Sequence, residues 1–228
     1  MRNVLYAAFV FATASVLPAA NIITVANSGV DAPGSVTIAS NGPLAVSFTT
    51  PGQSFSNVSI QAAIGFHTDI GGSSSIAAFL TTSLGGGTTP VPHEIASTGT
   101  IAAQNVPANG VPAPLFTFFT GLTLAPNTTY YFSVFHVSGG TSSWDFSPFI
   151  VTSDVGATTD AVFLRAPATD GTYAPASDFA AQTFGEGFIT VTGEPSGEVP
   201  EPSSIALMAF GLFGLALRRH RASVPTPR

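Results

Sequence analysis

The chain has 228 residues, with twelve acidic residues against six arginines, no lysine and no cysteine. A net charge of −6 excludes a nucleic-acid partner, because the field of such a protein repels a phosphate backbone. The missing cysteines exclude disulfides, thiolate metal sites and a cysteine nucleophile.

In chain order, Met1-Arg2-Asn3 supplies a positive start, Val4 to Val16 an apolar core, and Leu17-Pro18-Ala19-Ala20 small residues before Asn21. This order predicts a secretory signal peptide over 1–20, cleaved after Ala20 or, alternatively, after Ala19. From Asn21 to Glu198, 178 residues remain, enough for one domain with a substantial core. One arginine, Arg165, stands there against eleven acidic residues, a net charge near −10.

Hydrophobicity alternates with period two through most of 21–193, the ectodomain. Leu44, Val46 and Phe48 share one phase, and Val58, Ile60, Ala62, Ile64 and Phe66 continue it over a nine-residue strand. Further strands are expected at Ile76–Leu80, Leu115–Phe119, Tyr130–Val137, Ala161–Leu164 and Phe188–Thr192, and one or two edge strands within Asn21–Pro43. Turn clusters such as Pro51-Gly52, Pro126-Asn127 and Gly139-Gly140 separate them. The fold class predicted is all-β, an antiparallel β-sandwich of jelly-roll type. Ser54-Phe55, the strand to Phe66, Leu122-Thr-Leu-Ala-Pro-Asn-Thr-Thr-Tyr-Tyr-Phe132 and the following Trp144 resemble elements of choice-of-anchor ectodomains, a resemblance that implies a β-sandwich and no particular activity.

Candidate chemistry is sparse. His67 with Asp69 and His93 with Glu94 are the two close His–carboxylate pairs, and both abut turns, where solvated side chains are expected. No G-x-S-x-G elbow is present, no metal site is assigned and no cofactor is implied. Asp154, Asp160, Asp170 and Asp178 fall in loops whose carboxylates would suit a structural calcium, although no EF-hand or repeat pattern accompanies them. Trp144, Phe149 and Tyr173 are candidates for stacking on sugar rings if they are exposed.

Residues 194–204 read as a hydrated linker ending in Val199-Pro200-Glu201-Pro202. Ile205–Leu217 follows as thirteen apolar residues, predicting a membrane-inserted helix shorter than the ~20 residues of a full span. Residues 218–228 form a basic tail whose Arg218, Arg219 and Arg221 would remain cytoplasmic as a stop. Motif, apolar helix and arginine cluster in this order resemble the PEP-CTERM sorting signal of exosortase-bearing Gram-negative bacteria. The resemblance implies recognition of Val199, Pro200, Glu201 and Pro202 by an exosortase-type membrane enzyme. It also implies tethering to the cell membrane by the helix, and release to the cell surface or matrix.

The function expected is a non-enzymatic structural or interaction protein of the envelope or exopolysaccharide matrix. The alternatives are a carbohydrate-binding module, which needs exposed aromatics on one sheet face, and a small secreted hydrolase, which needs two acids converging in a pocket.

Overall fold

A computed structural model describes residues 18–29, 34–38, 43–67, 74–84, 93–106, 113–139, 142–146, 149–160, 164–165, 179–181 and 185–196. They belong to one compact unit, Pro18–Ser196. The predicted signal-peptide core, sorting motif, apolar helix and basic tail lie outside the described residues.

All regular structure among the described residues is strand. In chain order the first eight are β1 (Ala20–Asn27), β2 (Gly34–Ile38), β3 (Leu44–Thr49), β4 (Phe55–Ala62), β5 (Ile64–His67), β6 (Ser74–Thr81), β7 (Glu94–Ser97) and β8 (Ile101–Ala102). They are followed by β9 (Gln104–Val106), β10 (Phe116–Leu124), β11 (Thr129–Gly139), β12 (Ser142–Phe146), β13 (Phe149–Thr152), β14 (Leu164–Arg165), β15 (Ala180–Ala181) and β16 (Ile189–Pro195). Three sheets result, ordered β10-β4-β16-β1-β13, β15-β14-β3-β11-β6-β7 with β8 also on β6, and β2-β12-β5-β9. Pairing is antiparallel throughout except between β5 and β9.

The nine-residue strand expected from Val58 to Phe66 is two strands in two sheets. The period-two pattern is continuous across the break, so hydrophobicity alone does not mark it. The pivot is Ala63, whose N–H donates to the Phe188 carbonyl at 3.1 Å while its own carbonyl accepts from Asp145 N–H at 3.0 Å. One residue thus joins the segment entering β16 to β12. Strand β1, expected at an edge, lies between β16 and β13. Strand β16 continues through Glu194 and Pro195, residues that composition assigns to the linker, because Pro195 still pairs with Phe55.

The core fills where the sheets face each other. Phe132 of β11 makes edge contacts with Phe118 and Phe119 of β10 and with Trp144 of β12, at ring separations of 5.2, 6.1 and 5.5 Å. Phe118 and Phe119 are adjacent yet both buried, because the β10–β4 register slips between Thr117 and Phe119. Gly193 in β16 leaves no room for a side chain: an added Cβ would stand 2.7 Å from Val58 Cγ2 and 3.1 Å from Ile22 Cδ1.

The connection from β10 to β11 is held by the Leu-x-Leu-x-x-Asn-Thr-x-Tyr run. Tyr130 stacks on Phe48 and its hydroxyl accepts from Ala125 N–H at 2.7 Å. Asn127 takes the left-handed turn conformation at φ 47° and donates its N–H to the Pro51 carbonyl at 2.9 Å. The Thr50 hydroxyl closes the corner on Ala125 O at 2.6 Å. Tyr130→Phe keeps the stacked ring and removes only the hydroxyl acceptor, so unfolding stability should fall by about 1–2 kcal/mol in a denaturant titration with the slope unchanged.

Candidate functional site

Both ends of the compact unit are pinned by its strands. At its C-terminal end, Ser196 N–H donates to Ser54 O at 2.8 Å and Ser54 Oγ donates to Ser196 O at 3.1 Å. Val199, Pro200, Glu201 and Pro202, the apolar run Ile205–Leu217 predicted to be helical, and Arg218, Arg219 and Arg221 lie beyond the described residues. Among the described residues no helix is long and apolar enough to cross a membrane. At the other end Pro18 and Ala19 are exposed, and Ala20 opens β1 opposite Gly193. Asn21 is held on every polar group: its N–H reaches Asp154 Oδ2 at 3.3 Å, and its carbonyl accepts from Asp154 N–H at 3.0 Å. Its side chain reaches Thr152 Oγ1 at 3.3 Å and Thr24 Oγ1 at 2.8 Å.

The aromatic sugar-stacking set does not assemble. Trp144 is 0% exposed, packed on Phe132, with its indole N–H donating to Phe188 O at 3.1 Å. A ring closed in on both faces cannot meet a sugar, which corrects its expected role. Phe149 is half-buried on the edge strand β13, and Tyr173 lies outside the described residues.

The outer face of the five-stranded sheet carries different chemistry. Gln61 stands opposite Thr117 on one side and Thr190 on the other, Thr190 opposite Thr24, and Thr24 opposite Thr152. Opposed residues share a face, so one uncharged hydroxyl and amide row crosses all five strands, about 19 Å at the ~4.8 Å strand spacing. Gln61 Nε2 donates to Thr117 Oγ1 at 2.8 Å, and the Thr24 and Thr190 hydroxyls lie 3.4 Å apart. The reverse face of these strands is the buried Ile23, Val25, Ile60, Ile189 and Val191.

Among the described residues two acids are buried. Asp145 accepts the Ala113 N–H at 2.6 Å. Glu186 is 0% exposed, takes a hydrogen bond from Thr159 Oγ1 on one oxygen, and has no partner for Oε2. Burial pushes its carboxyl up from an ordinary 4.5 to about 8; the Thr159 hydroxyl acts in the opposite direction, and the Asp160 charge adds to the rise. His93 is exposed at a positive φ of 58° beside half-buried Glu94, as a turn histidine would be, and the side chains of His67 and Asp69 lie outside what is described.

A family model of the PEP-CTERM protein-sorting motif matches residues 198–221. The chain carries a PEP-CTERM sorting motif. Such motifs are processed by exosortase, a membrane enzyme, so this is an exported protein directed to membrane-associated sorting. No curated protein and no solved structure matches the chain. The PEP-CTERM match begins two residues beyond Ser196, the residue tied to Ser54.

Sequence reasoning placed the acids mainly in turn-like stretches, where solvated charge is expected, and so missed Asp145 and Glu186. Asp145 had a visible signal, since it sits between Trp144 and Phe146 inside an aromatic run. Glu186, between Gly185 and Gly187, had none. Its folded-state proton affinity exceeds the unfolded one, so its contribution is fully present below about pH 4.5 and is lost as pH rises toward 8. In chelator-treated protein, wild-type stability should decline by up to ~1.4 kcal/mol per pH unit across that window relative to Glu186→Gln. Parallel pH profiles of the two proteins would show that the carboxyl titrates normally.

Proposed function

We propose that the chain is an exported, non-enzymatic structural or interaction protein of the cell surface or the extracellular polysaccharide matrix of a Gram-negative bacterium. The observation that carries the reading is the PEP-CTERM motif at 198–221, joined to a strand-built domain. In this reading signal peptidase cleaves after Ala20, Ile205–Leu217 holds the precursor in the membrane, and Arg218, Arg219 and Arg221 stop transfer. Exosortase then acts at Val199–Pro202. The jelly-roll form of the sandwich is supported by the wiring: β3 to β4, β4 to β5, β5 to β6, β10 to β11, β11 to β12 and β12 to β13 each pass from one sheet to another.

Carbohydrate binding is the second reading, and the Thr117–Gln61–Thr190–Thr24–Thr152 row favours it in a form without aromatic stacking. A flat, uncharged set of donors and acceptors suits a neutral polysaccharide, whose hydroxyls exchange one set of hydrogen bonds for another without desolvating a charge. A hydrolase reading is disfavoured because Glu186, the acid with the raised proton affinity, has no exposed surface through which to reach a glycosidic oxygen.

The primary test is intact mass of the protein from each fraction of its native host. The expected species starts at Asn21, ends near Val199–Pro202 and lies outside the cell; an exported species still carrying Arg228 in the membrane fraction would leave only a tethered domain. For the polar row, Thr24→Val with Thr190→Val preserves shape and removes two hydroxyls. Retention of the exported protein on the host's polysaccharide should fall about tenfold, as the loss of one to two net hydrogen bonds predicts. Undiminished retention would remove the row from the contact.

A further inference from the structure

We infer that Ser47, Thr159, Asp160 and Glu186 form a calcium site at the edge of the core. Three segments bring them together. Ser47 is in the middle of β3. The stretch holding Thr159 and Asp160 is docked on that strand by reciprocal bonds between Thr49 and Thr158, at 2.7 and 3.1 Å. Glu186 precedes Gly187, which bridges to Phe146, and Phe188, whose N–H donates to Asp145 O at 2.9 Å. The backbone therefore sets these positions independently of any ion.

Their oxygens form a connected group. Ser47 Oγ donates to Asp160 Oδ2 at 2.8 Å, and Thr159 Oγ1 lies 2.8 Å from the Ser47 carbonyl and bonds Glu186 Oε1. Glu186 Oε2 is left without a hydrogen-bond partner on a side chain with no exposed surface. An orphaned carboxyl oxygen in such a place costs stability unless something positive meets it. Every ligand here is oxygen, which suits a hard cation rather than a zinc-type site. Two carboxylates balance one divalent charge, and the hydroxyls and the Ser47 carbonyl supply the neutral oxygens that calcium accepts in a flexible shell. Magnesium, which demands a near-ideal octahedron and gives up its waters reluctantly, fits this mixture less well.

So few charged ligands place the affinity in the range of extracellular modules, roughly 10⁻⁴–10⁻³ M.

The test is thermal unfolding of the exported wild-type protein and of Glu186→Gln at pH 8, each with chelator and with 10 mM calcium. For wild type calcium should raise the midpoint by about 3–6 °C, with a smaller rise for magnesium. Glu186→Gln should be the more stable protein in chelator at pH 8 and should show no calcium response. Asp160→Asn, a surface change that leaves the core intact, should weaken calcium about tenfold. An equal calcium response in wild type and Glu186→Gln would reduce the effect to screening of the domain's negative charge and overturn the site. The absence of any response in folded wild type would do the same.

Discussion

The Phe188 carbonyl is the point on which the architecture turns. It accepts two N–H groups, from Ala63 at the sheet switch and from the Trp144 indole, each at 3.1 Å. A carbonyl has two lone pairs, and here both are used to lock separate sheets to the start of β16. The indole is thereby oriented edge-on to Phe132, whose ring also meets Phe118 and Phe119. Three sheets share one core because one buried tryptophan has its single polar atom satisfied there. A tryptophan with that N–H unpaired would cost most of what its burial contributes.

That constraint reaches the exported surface through β16. The strand begins beside Phe188, runs between β4 and β1, and ends at Pro195 opposite Phe55. Its buried side supplies Ile189 and Val191 to the core, and its other side supplies Thr190 to the polar row. Gly193 permits the close approach of Val58 and Ile22 just before the chain reaches Ser196. The last strand of the domain is therefore also its connection to the sorting motif. Pulling on that connection loads a central strand rather than a peripheral one, which suits the proposed tethering of the domain from its C-terminal end.

Much of the fold was legible in the sequence because an antiparallel sheet with one buried face writes its register as period two. The strand after Phe188 buries alternate residues as that pattern requires, whereas Leu44–Phe48 carries the same alternation in composition although all five of its residues are buried. What period two does not encode is the sheet to which a strand belongs. The Val58–Phe66 run kept its phase through Ala63 while its hydrogen-bond partners changed, and only the backbone pairing with Phe188 and Asp145 reveals the switch. Trp144 failed as a binding residue for a related reason. An aromatic in a strand has the same local signature whether its face is covered or open. The sorting motif was legible for the opposite reason: it is read as a linear segment, so order and composition suffice.

Glu186 shows the remaining limit. Flanked by glycines, it has the local appearance of a solvated loop acid, yet it is buried and bonded to Thr159, more than twenty positions away. The chain is poor in charge, at 8% of residues, and the ectodomain has almost no positive charge to spend on an interior acid. A carboxyl enclosed under those conditions has two stable states, protonated or ion-bound, and ionised without a partner is neither. Outside the cell, where calcium is plentiful and disulfides are unavailable to this cysteine-free chain, an ion that ties β3 to the segments before β14 and β16 would do what a cross-link does elsewhere. It would join stretches distant in sequence, and it would act only after export.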